Sequence, residues 1–564
     1  MLAAKRNTGP NRRDFLAGTA ALAGLAAAPA PASVLGARVT LFRGGPILTV
    51  DAAFTVAEAL AIRGDRILAV GTEAEVAAIA GPQAQIVDLQ GRCLLPGFVE
   101  PHAHVIAGAV VAKIMDYVGM TRFATTDQVV AHLADLAAQR PEGAWIVARN
   151  FDPAVQTGLS TLTFAELDAV STRHPVFVLN ASGHLAYANR KAFEMAGIPP
   201  DVANPPGSEF VRDINGNLTG EMKNNLAFLQ VASAFPGLTE TDPVEALIDL
   251  LADWGRLGLT TVSELSLGAL SQSPADVQIM LAAAATGRLK ARIRAYPFYT
   301  IDAAAWDAAG VRPGDDPMVR VAGYKLVADG SNQGFTGLQR VPYLGTDSIG
   351  LAYMTPQDMA ALALDRAGKG WPLAIHGNGD AGIDMILATA AALQAAGIDP
   401  AENRLRIEHC SMLNDDQIAT MQQLGISASV LIGHVHFWGI AFRDVVFGPD
   451  RAQLLGRCRS MTDAGIGLSL HSDFMVTDPN PLHMIEMAVT RTTWTEPDFV
   501  LNPGERISVE TALRAVTAEA ARQLHSDQEV GSLEAGKFAD LVILDADPRS
   551  VAPDQIKAIA VLQT

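Results

Sequence analysis

Residues 94–104 read Leu-Leu-Pro-Gly-Phe-Val-Glu-Pro-His-Ala-His, an apolar run that ends in a turn and is followed by His102 and His104. In an extended chain, side chains two residues apart point to the same side. The two histidines can therefore hold one metal ion with neutral imidazoles, the ligand type that zinc and similar ions accept. Taken alone, the pair could also be two solvated loop histidines, so the choice depends on the rest of the chain.

The composition is that of a globular protein rather than a disordered one. Of the 564 residues, 49% are apolar and 18% are charged, and a chain of this length can bury a large core. The formal charge of −18 argues against nucleic acid or an anionic membrane as a partner, because both require basic patches. Three cysteines are too few and too scattered for a disulfide framework or a paired-cysteine metal site.

The first 32 residues have the features of an export signal. Residues 11–16 read Asn-Arg-Arg-Asp-Phe-Leu and resemble the twin-arginine motif, and an apolar stretch follows to Ala28. That stretch is shorter than the roughly 20 residues that span a bilayer, and residues 30–32 supply an Ala-Pro-Ala cleavage site. We expect residues 1–32 to be removed and the protein to be periplasmic, free of the membrane after cleavage. An uncleaved membrane anchor is the alternative.

Short strands separated by glycine-containing turns follow the signal, and residues 531–544 near the other end have the same character. We therefore expect both ends of the chain to pair into one small β-sandwich, formed by residues 33–95 and 505–564. The catalytic domain, residues 96–504, would be inserted between them.

Beyond His104 the periodicity changes to strand-like runs that alternate with helical segments, which is typical of βα units around a parallel sheet. The pattern predicts an α/β fold with a TIM-like (β/α)₈ barrel. Residues 145–221 fit no barrel unit and are expected to form an insertion that covers the site. The eight predicted strands are one ending at Val99 and those at 260–265, 293–299, 321–327, 373–376, 405–409, 427–432 and 467–471.

Four of these strands contain, end in or lead directly to a residue that can bind metal: Lys325, His376, His409 and Asp473. The carboxyl ends of the strands of such a barrel meet at one face, where its chemistry takes place. A single histidine at a strand end is ordinary, but six candidates at one face, with His102 and His104 included, indicate a metal centre.

Together these motifs resemble the amidohydrolase superfamily, and within it amidohydrolase family 3, whose members include N-substituted formamide deformylases. The resemblance covers nearly the whole chain after the signal. It rests on the Leu-Pro-Gly-Phe-x-x-x-His-x-His opening and on the segments Lys-Leu-x-x-Asp-Gly-Ser at 325–331, His-Gly-Asn-Gly-Asp at 376–380, Arg-Ile-Glu-His at 406–409, Ser-Asp at 472–473 and Gly-Ser-Leu-Glu-Ala-Gly-Lys-x-Ala-Asp-Leu at 531–541.

The resemblance implies a centre of one or two divalent ions, zinc being the expected metal. His102 and His104 would bind the more buried ion, and His376 and His409 the more exposed one. Lys325 would be N-carboxylated and bridge both ions.

The same resemblance implies two roles for Asp473. Asp473 would bind metal and shuttle a proton between water and the leaving group. For Lys325, the alternative is an uncarboxylated amine paired with an acid such as Asp329.

The implied reaction is hydrolysis of a non-peptide C–N (amide) bond of a small molecule by attack of a metal-bound hydroxide. An esterase, lactonase or isomerase on the same centre is an alternative, and so is a non-catalytic ligand-binding member. The expected partner is a small-molecule substrate, the net charge of −18 argues against nucleic acid, and a homo-oligomer is left open.

Four more residues are candidates for substrate contact. A second His-x-His, His434 and His436, follows strand seven with Trp438 beside it. It could be a further metal site, but substrate contact is favoured because six ligands are already assigned. His184 in the insertion could reach the pocket or be structural. His471 is expected to pack behind the ligands.

Overall fold

The computed structural model describes residues 38–159 and 161–564. The predicted export signal, including Arg12 and Arg13, lies outside the described residues. Within the described ranges, no helix combines the length and the apolar character needed to cross a membrane.

The described chain begins with one mixed sheet. Strands β1, β2 and β3 are antiparallel neighbours, and β4 and β5 run parallel to β1. Helix α1 starts at a capping box in which Thr72 and Glu75 each bond the other's backbone N–H. The elements are β1 Val39–Leu48, β2 Val56–Arg63, β3 Arg66–Gly71, α1 Glu73–Ala80, β4 Gln85–Asp88 and β5 Cys93–Pro96.

The first barrel strand, β6 (Phe98–Glu100), is followed by α2 (Val105–Ile114), and an inserted sheet comes next. This sheet has the order β11-β12-β10-β9-β8-β7. It begins at Asp116, earlier than the expected start near residue 145. Its elements are β7 Asp116–Tyr117, α3 Thr126–Gln139, β8 Ile146–Phe151, α4 Phe164–Val170, β9 Val176–Asn180, β10 Leu185–Ala188, α5 Arg190–Met195, β11 Glu209–Arg212 and β12 Leu218–Lys223.

The chain then alternates between helices and parallel strands. The strands are buried along their whole length except at the first residue of β14, as expected for a parallel sheet covered on both faces. The elements are α6 Asn225–Ala232, α7 Gly237–Glu240, α8 Pro243–Gly255, β13 Leu259–Leu267, α9 Val277–Ala285, β14 Arg292–Pro297, α10 Ala303–Ala308, β15 Val319–Val321, β16 Tyr324–Val327, α11 Pro356–Gly368, β17 Leu373–Gly377, α12 Asp380–Ala395, β18 Arg406–His409, α13 Asp415–Leu424, β19 Ser427–Leu431, α14 Gly433–Ala441, α15 Pro449–Ala452, α16 Cys458–Asp463, β20 Leu468–His471, α17 Pro481–Thr490, α18 Val509–Ala515 and α19 Ala518–Gln523.

These strands lie where the sequence predicts them and form a TIM-barrel-like α/β fold. They pair as two parallel sheets, β6-β13-β14-β15 and β16 to β20 in order. Single bridges, Phe298–Lys325 and Ala103–Phe474, join the edges of the two sheets. One predicted strand is divided into β15 and β16 near Gly323, where a Cβ atom would lie 2.3 Å from the ring of Tyr296. The close approach of that ring explains why a glycine interrupts the strand.

The last two strands, β21 (Leu541–Leu544) and β22 (Val561–Gln563), return to the first sheet. β21 pairs antiparallel with β5, so that Leu541 lies opposite Pro96. The sheet therefore takes strands from both ends of the chain. That these strands form a separate sandwich domain stays a prediction.

Candidate metal centre

All six predicted ligands line one cavity of about 220 Å³ at the carboxyl ends of the barrel strands. The inserted sheet contributes residues 179–184 to the same cavity. The six are His102, His104, Lys325, His376, His409 and Asp473.

A hydrogen bond to Glu408 fixes the orientation of the His102 ring. Its Nδ1 lies 2.5 Å from a carboxylate oxygen of Glu408, and Glu408 is also paired with the buried guanidinium of Arg406. A carboxylate can only accept, so Nδ1 of His102 carries the proton and Nε2 keeps its lone pair. That lone pair faces Asp473 Oδ1 at 3.4 Å. Burial, followed by the charge of Lys325, holds the pKa of His102 well below its usual range.

The hydroxyl group of Ser266, which bridges Glu264 and His104, fixes the ring of His104 in a similar way. Ser266 Oγ donates to Glu264 at 2.9 Å and lies 2.9 Å from Nδ1 of His104. Because the only hydroxyl proton of Ser266 goes to the carboxylate, Ser266 accepts from Nδ1 of His104. The free lone pair of His104 is therefore on Nε2, 3.1 Å from Asp473 Oδ1.

Two lone-pair nitrogens and a carboxylate oxygen thus converge on one small volume. Asp473 Oδ1 is buried and accepts no hydrogen bond from the residues that the structure describes. Lone pairs that face a carboxylate repel it unless a cation lies between them, and a buried carboxylate requires such a partner because burial of a charge is costly. His102, His104 and Asp473 also place one ligand atom each within 4.8 Å of one another. These residues therefore fit a divalent metal ion.

His376 and His409 lie beside this group, with ring centroids 4.4 Å apart. Nε2 of His376 donates to the carbonyl of Gly330 at 3.1 Å, which leaves its Nδ1 free to bind a cation. Nδ1 of His409 lies 3.1 Å from Nε2 of His471 and 3.6 Å from Asp473 Oδ2. Burial holds the pKa of both His376 and His409 well below the usual range, so both are neutral.

The backbone is unusual at three positions of the centre. His409, Cys410 and Asp473 have φ angles of 65°, 45° and 51°. Residues other than glycine rarely adopt this left-handed region, and such strain persists only where the surrounding structure imposes it. The strain falls on two of the six candidate ligands.

Lys325 is buried, and burial lowers its pKa to about 8. Its Nζ lies 3.4 Å from Nε2 of His102. Asp329 instead accepts the backbone N–H groups of Asn378 and Gly379 at 3.0 and 2.7 Å. Within the described ranges, Asp329 pairs with His376 at 3.4 Å and not with Lys325. The carboxylation of Lys325 stays a prediction.

His184 also lines the cavity, whereas His434, His436 and Trp438 do not. Trp438 Nε1 donates to Asp152 at 2.8 Å, and Nδ1 of His436 donates to the carbonyl of Thr492 at 2.8 Å. The expectation that these three residues contact substrate is not confirmed.

The physical reason is that this second His-x-His lies in helix α14. Residues two apart on a helix point roughly 200° apart around its axis, whereas His102 and His104 follow a strand. The two histidines of α14 therefore cannot face one point.

Three residues that orient the ligands were not predicted from the sequence, namely Glu408, Glu264 and Ser266. Glu408 stands one residue before a candidate ligand, which is a weak signal. Glu264 and Ser266 carried no signal in the sequence. Nδ1 of His471 lies 2.8 Å from the hydroxyl of Ser429. His471 also places a ligand atom within 4.8 Å of those of His102 and His409, so its expected place behind the ligands stays a prediction.

Comparisons with known proteins identify the family of this chain. The sequence profile described as the amidohydrolase family matches residues 85–564. The chain is 29% identical to the N-substituted formamide deformylase of Arthrobacter pascens, over 92% of this chain and 95% of that protein. It is 30% identical to Protein LONG AFTER FAR-RED 3 of Arabidopsis thaliana, over 90% of this chain and 87% of that protein.

The fold also has a counterpart among solved structures. An uncharacterized metal-dependent hydrolase from Pyrococcus horikoshii OT3 is similar with a TM-score of 0.71 at 22% identity, over 91% of this chain and 99% of that chain. The family match supports a hydrolase, and the structural likeness shows a TIM-barrel-like fold. This chain belongs to the amidohydrolase family.

Proposed function

We propose that this chain is a metal-dependent hydrolase that cleaves the amide C–N bond of a small molecule. The observation that carries the proposal is the convergence of His102 and His104 on Asp473 Oδ1, at 3.4 and 3.1 Å. Both imidazoles are held with the lone pair of Nε2 toward the carboxylate. Such a set of neutral histidines and a carboxylate is a typical donor set for zinc and related ions.

The residues that would hold one or two divalent ions are those that line the centre. His102, His104 and Asp473 form one group, and His376 and His409 stand next to it. Lys325 would join them as a carbamate, because an amine made neutral by burial can react with carbon dioxide. The carbamate offers two oxygens where an ammonium would repel cations.

When bound, a divalent ion lowers the pKa of water towards about 7 and polarises a carbonyl oxygen. The protein's own contribution is proton transfer. The carboxylate of Asp473 accepts a proton from the attacking water and returns it to the nitrogen that leaves, so that an acid and an amine are formed. A non-catalytic member has no need of a carboxylate at this position, and the position of Asp473 therefore favours an enzyme.

The cavity limits the substrate to a small, partly apolar molecule. Its volume is about 220 Å³, less than the about 300–1,000 Å³ typical of sites for drug-sized ligands. Apolar side chains supply much of its wall, among them Val111, Leu179, Phe228, Leu229 and Phe298. The similarity to an N-substituted formamide deformylase supports a short acyl group on an amide nitrogen as the first substrate class to examine.

The experiment is metal analysis of purified protein followed by a panel of small amides and formamides with their matched esters. We expect divalent metal in the protein, amide hydrolysis, and loss of turnover on chelation with the fold retained, since a barrel of this size has its own core. Full activity in metal-free protein, or turnover of esters alone, would contradict the proposal.

We also propose that the protein is exported to the periplasm by the twin-arginine route. The proposal rests on residues 11–16 and on the apolar stretch and small-residue site that follow them.

A further inference from the structure

His184 stands beside the centre without belonging to the six candidate ligands. It follows the tight turn between β9 and β10 of the inserted sheet, and its ring centroid lies 5.4 Å from that of His376. Its backbone is held on both sides, because Asn224 N donates to the carbonyl of His184 at 2.7 Å and His184 N donates to Ser182 Oγ at 3.2 Å. The ring therefore has a fixed position in the wall of the cavity.

A chain of hydrogen bonds determines which nitrogen of His184 carries the proton. Asn224 Nδ2 donates to the carbonyl of Gly207 at 2.7 Å, which places Asn224 Oδ1 toward Tyr353. The Tyr353 hydroxyl donates its single proton to Asn224 Oδ1. The same hydroxyl lies 2.7 Å from Nδ1 of His184, and so it must accept a hydrogen bond there. Nδ1 of His184 is protonated, and Nε2 is an acceptor.

That acceptor remains available to a ligand. Within the described ranges, no side-chain hydrogen bond engages Nε2 of His184, although its ring lines the cavity. Other polar residues of the same wall are already engaged. Asn180 Oδ1 accepts from Ser182 N at 2.8 Å, and Asn150 Nδ2 donates to the carbonyl of Met475 at 2.7 Å. A ligand bound at the centre would therefore meet a fixed acceptor on this side.

We propose that Nε2 of His184 accepts a hydrogen bond from the N–H of the substrate. This contact makes the enzyme selective for secondary over tertiary amides. Tyr353 is the positioning residue, because its hydroxyl keeps the proton of His184 on Nδ1. The inference rests on the proposed amide hydrolysis and adds a substrate class to it. The group of the substrate that meets Nε2 must be a hydrogen-bond donor, because an acceptor there would face the lone pair of Nε2. A polar group left without a hydrogen bond in a site without water is costly.

The kinetic experiment compares a secondary amide with its N-methylated tertiary analogue, both carrying the same acyl group, in the metal-loaded protein. Removal of the acceptor in His184→Leu should lower kcat/KM for the secondary amide about 3- to 10-fold, the range expected for one hydrogen bond. The tertiary amide should change less than about twofold. His184→Gln keeps an acceptor oxygen and should retain part of the preference.

Tyr353→Phe tests the positioning role without a change to the ring of His184. It should reduce the preference in the same direction as His184→Leu, because the ring can then adopt the other tautomer. Tyr299→Phe is the matched control, since within the described ranges the hydroxyl of Tyr353, and not that of Tyr299, is hydrogen-bonded to His184. In that variant, the ratio of kcat/KM for the secondary amide to kcat/KM for the tertiary amide should stay at the value of the parent.

A second measurement reports on the tautomer without any turnover. In protein labelled with ¹⁵N-histidine, the nitrogen shifts of His184, assigned by their loss in His184→Gln, should show a protonated Nδ1 and a bare Nε2. In Tyr353→Phe the signals should move toward the other tautomer. A protonated Nε2 in the parent would overturn the inference.

The outcomes separate the inference from the function on which it rests. If neither amide is hydrolysed, the proposed function fails. If amides are hydrolysed and His184→Leu and Tyr353→Phe leave the ratio unchanged, only the role of His184 is wrong. Folding of each variant is checked by its thermal midpoint. The spectroscopic test needs only His184→Gln to fold, because that variant assigns the signals and the spectrum of the parent then supports or refutes the tautomer.

Discussion

The carboxylate of Glu408 lies 2.5 Å from Nδ1 of His102, although 306 residues separate them in sequence. Both side chains are almost fully buried. The contact fixes the imidazole so that Nε2 faces the centre, which is how carboxylates commonly orient metal-binding histidines.

Glu408→Gln should therefore weaken metal binding about 10- to 100-fold, the range found when a residue that hydrogen-bonds a metal ligand is replaced. The amide can still fill the space, but it can present a donor to Nδ1 and release the ring from its tautomer. Competition with a chelator of known affinity measures the effect. Glu402→Gln, at an exposed position, is the control. Equal affinity in Glu408→Gln and the parent would contradict the assigned role.

Lys325→Ala should lose metal and activity, because it removes the proposed bridging carbamate. Short carboxylic acids, or bicarbonate with a small amine, should restore part of both. Carbon-13 NMR after addition of labelled bicarbonate should show a carbamate signal in the parent that is absent from the variant. Normal metal content and turnover in Lys325→Ala would show that the bridging role is wrong.

Asp473→Asn should lower kcat about 10²- to 10⁴-fold, the usual contribution of a positioned acid–base group. Asparagine has a similar size but cannot carry a proton between water and the leaving nitrogen. The measurement is kcat with the metal content determined in the same sample. Retention of kcat within a few-fold at full metal content would require a different mechanism.

The carboxyl group of Asp152 should make the stability of the folded protein depend on pH. It is buried, and burial raises its pKa from 3.8 to about 6. Between these values the folded protein holds a proton that the unfolded chain has lost, so the contribution of Asp152 to stability falls as the pH rises. Between pH 4 and pH 7, the free energy of unfolding of Asp152→Asn should rise by about 1–3 kcal/mol relative to that of the parent protein.

Thermal midpoints of the parent and of Asp152→Asn across this pH range check the prediction. Asp135→Asn, at an exposed position of α3, controls for the loss of one charge. A constant difference in midpoint between parent and Asp152→Asn would mean that the carboxyl ionises as freely in the folded protein as in the unfolded chain.

Replacement of Arg12 and Arg13 by lysine should leave the precursor in the cytoplasm. The twin-arginine motif depends on the arginine pair rather than on positive charge alone, so the change keeps the charge and removes the signal. Fractionation of cells followed by detection of the mature protein measures export. Unchanged appearance in the periplasm would contradict the export proposal.

Much of the fold was predictable because its signals are local. Buried strands such as Ser427–Leu431 leave continuous apolar or small-residue runs, and turns between them follow from short-range chemistry. The spacing of His102 and His104 likewise carries its own geometry, since residues two apart on an extended chain share a side. The division of one strand near Gly323 was not predictable, because it depends on the ring of Tyr296 from another strand.

The sequence alone determined the family's six candidate ligands and their places at the strand ends. Only the tertiary structure decided how those ligands are held, because Glu408 meets His102, and Tyr353 meets His184, across long separations in sequence. It also decided that Trp438 bonds to Asp152 and not to the cavity. A histidine pair has the same spacing in a strand and in a helix, but its two rings share a face only in the strand.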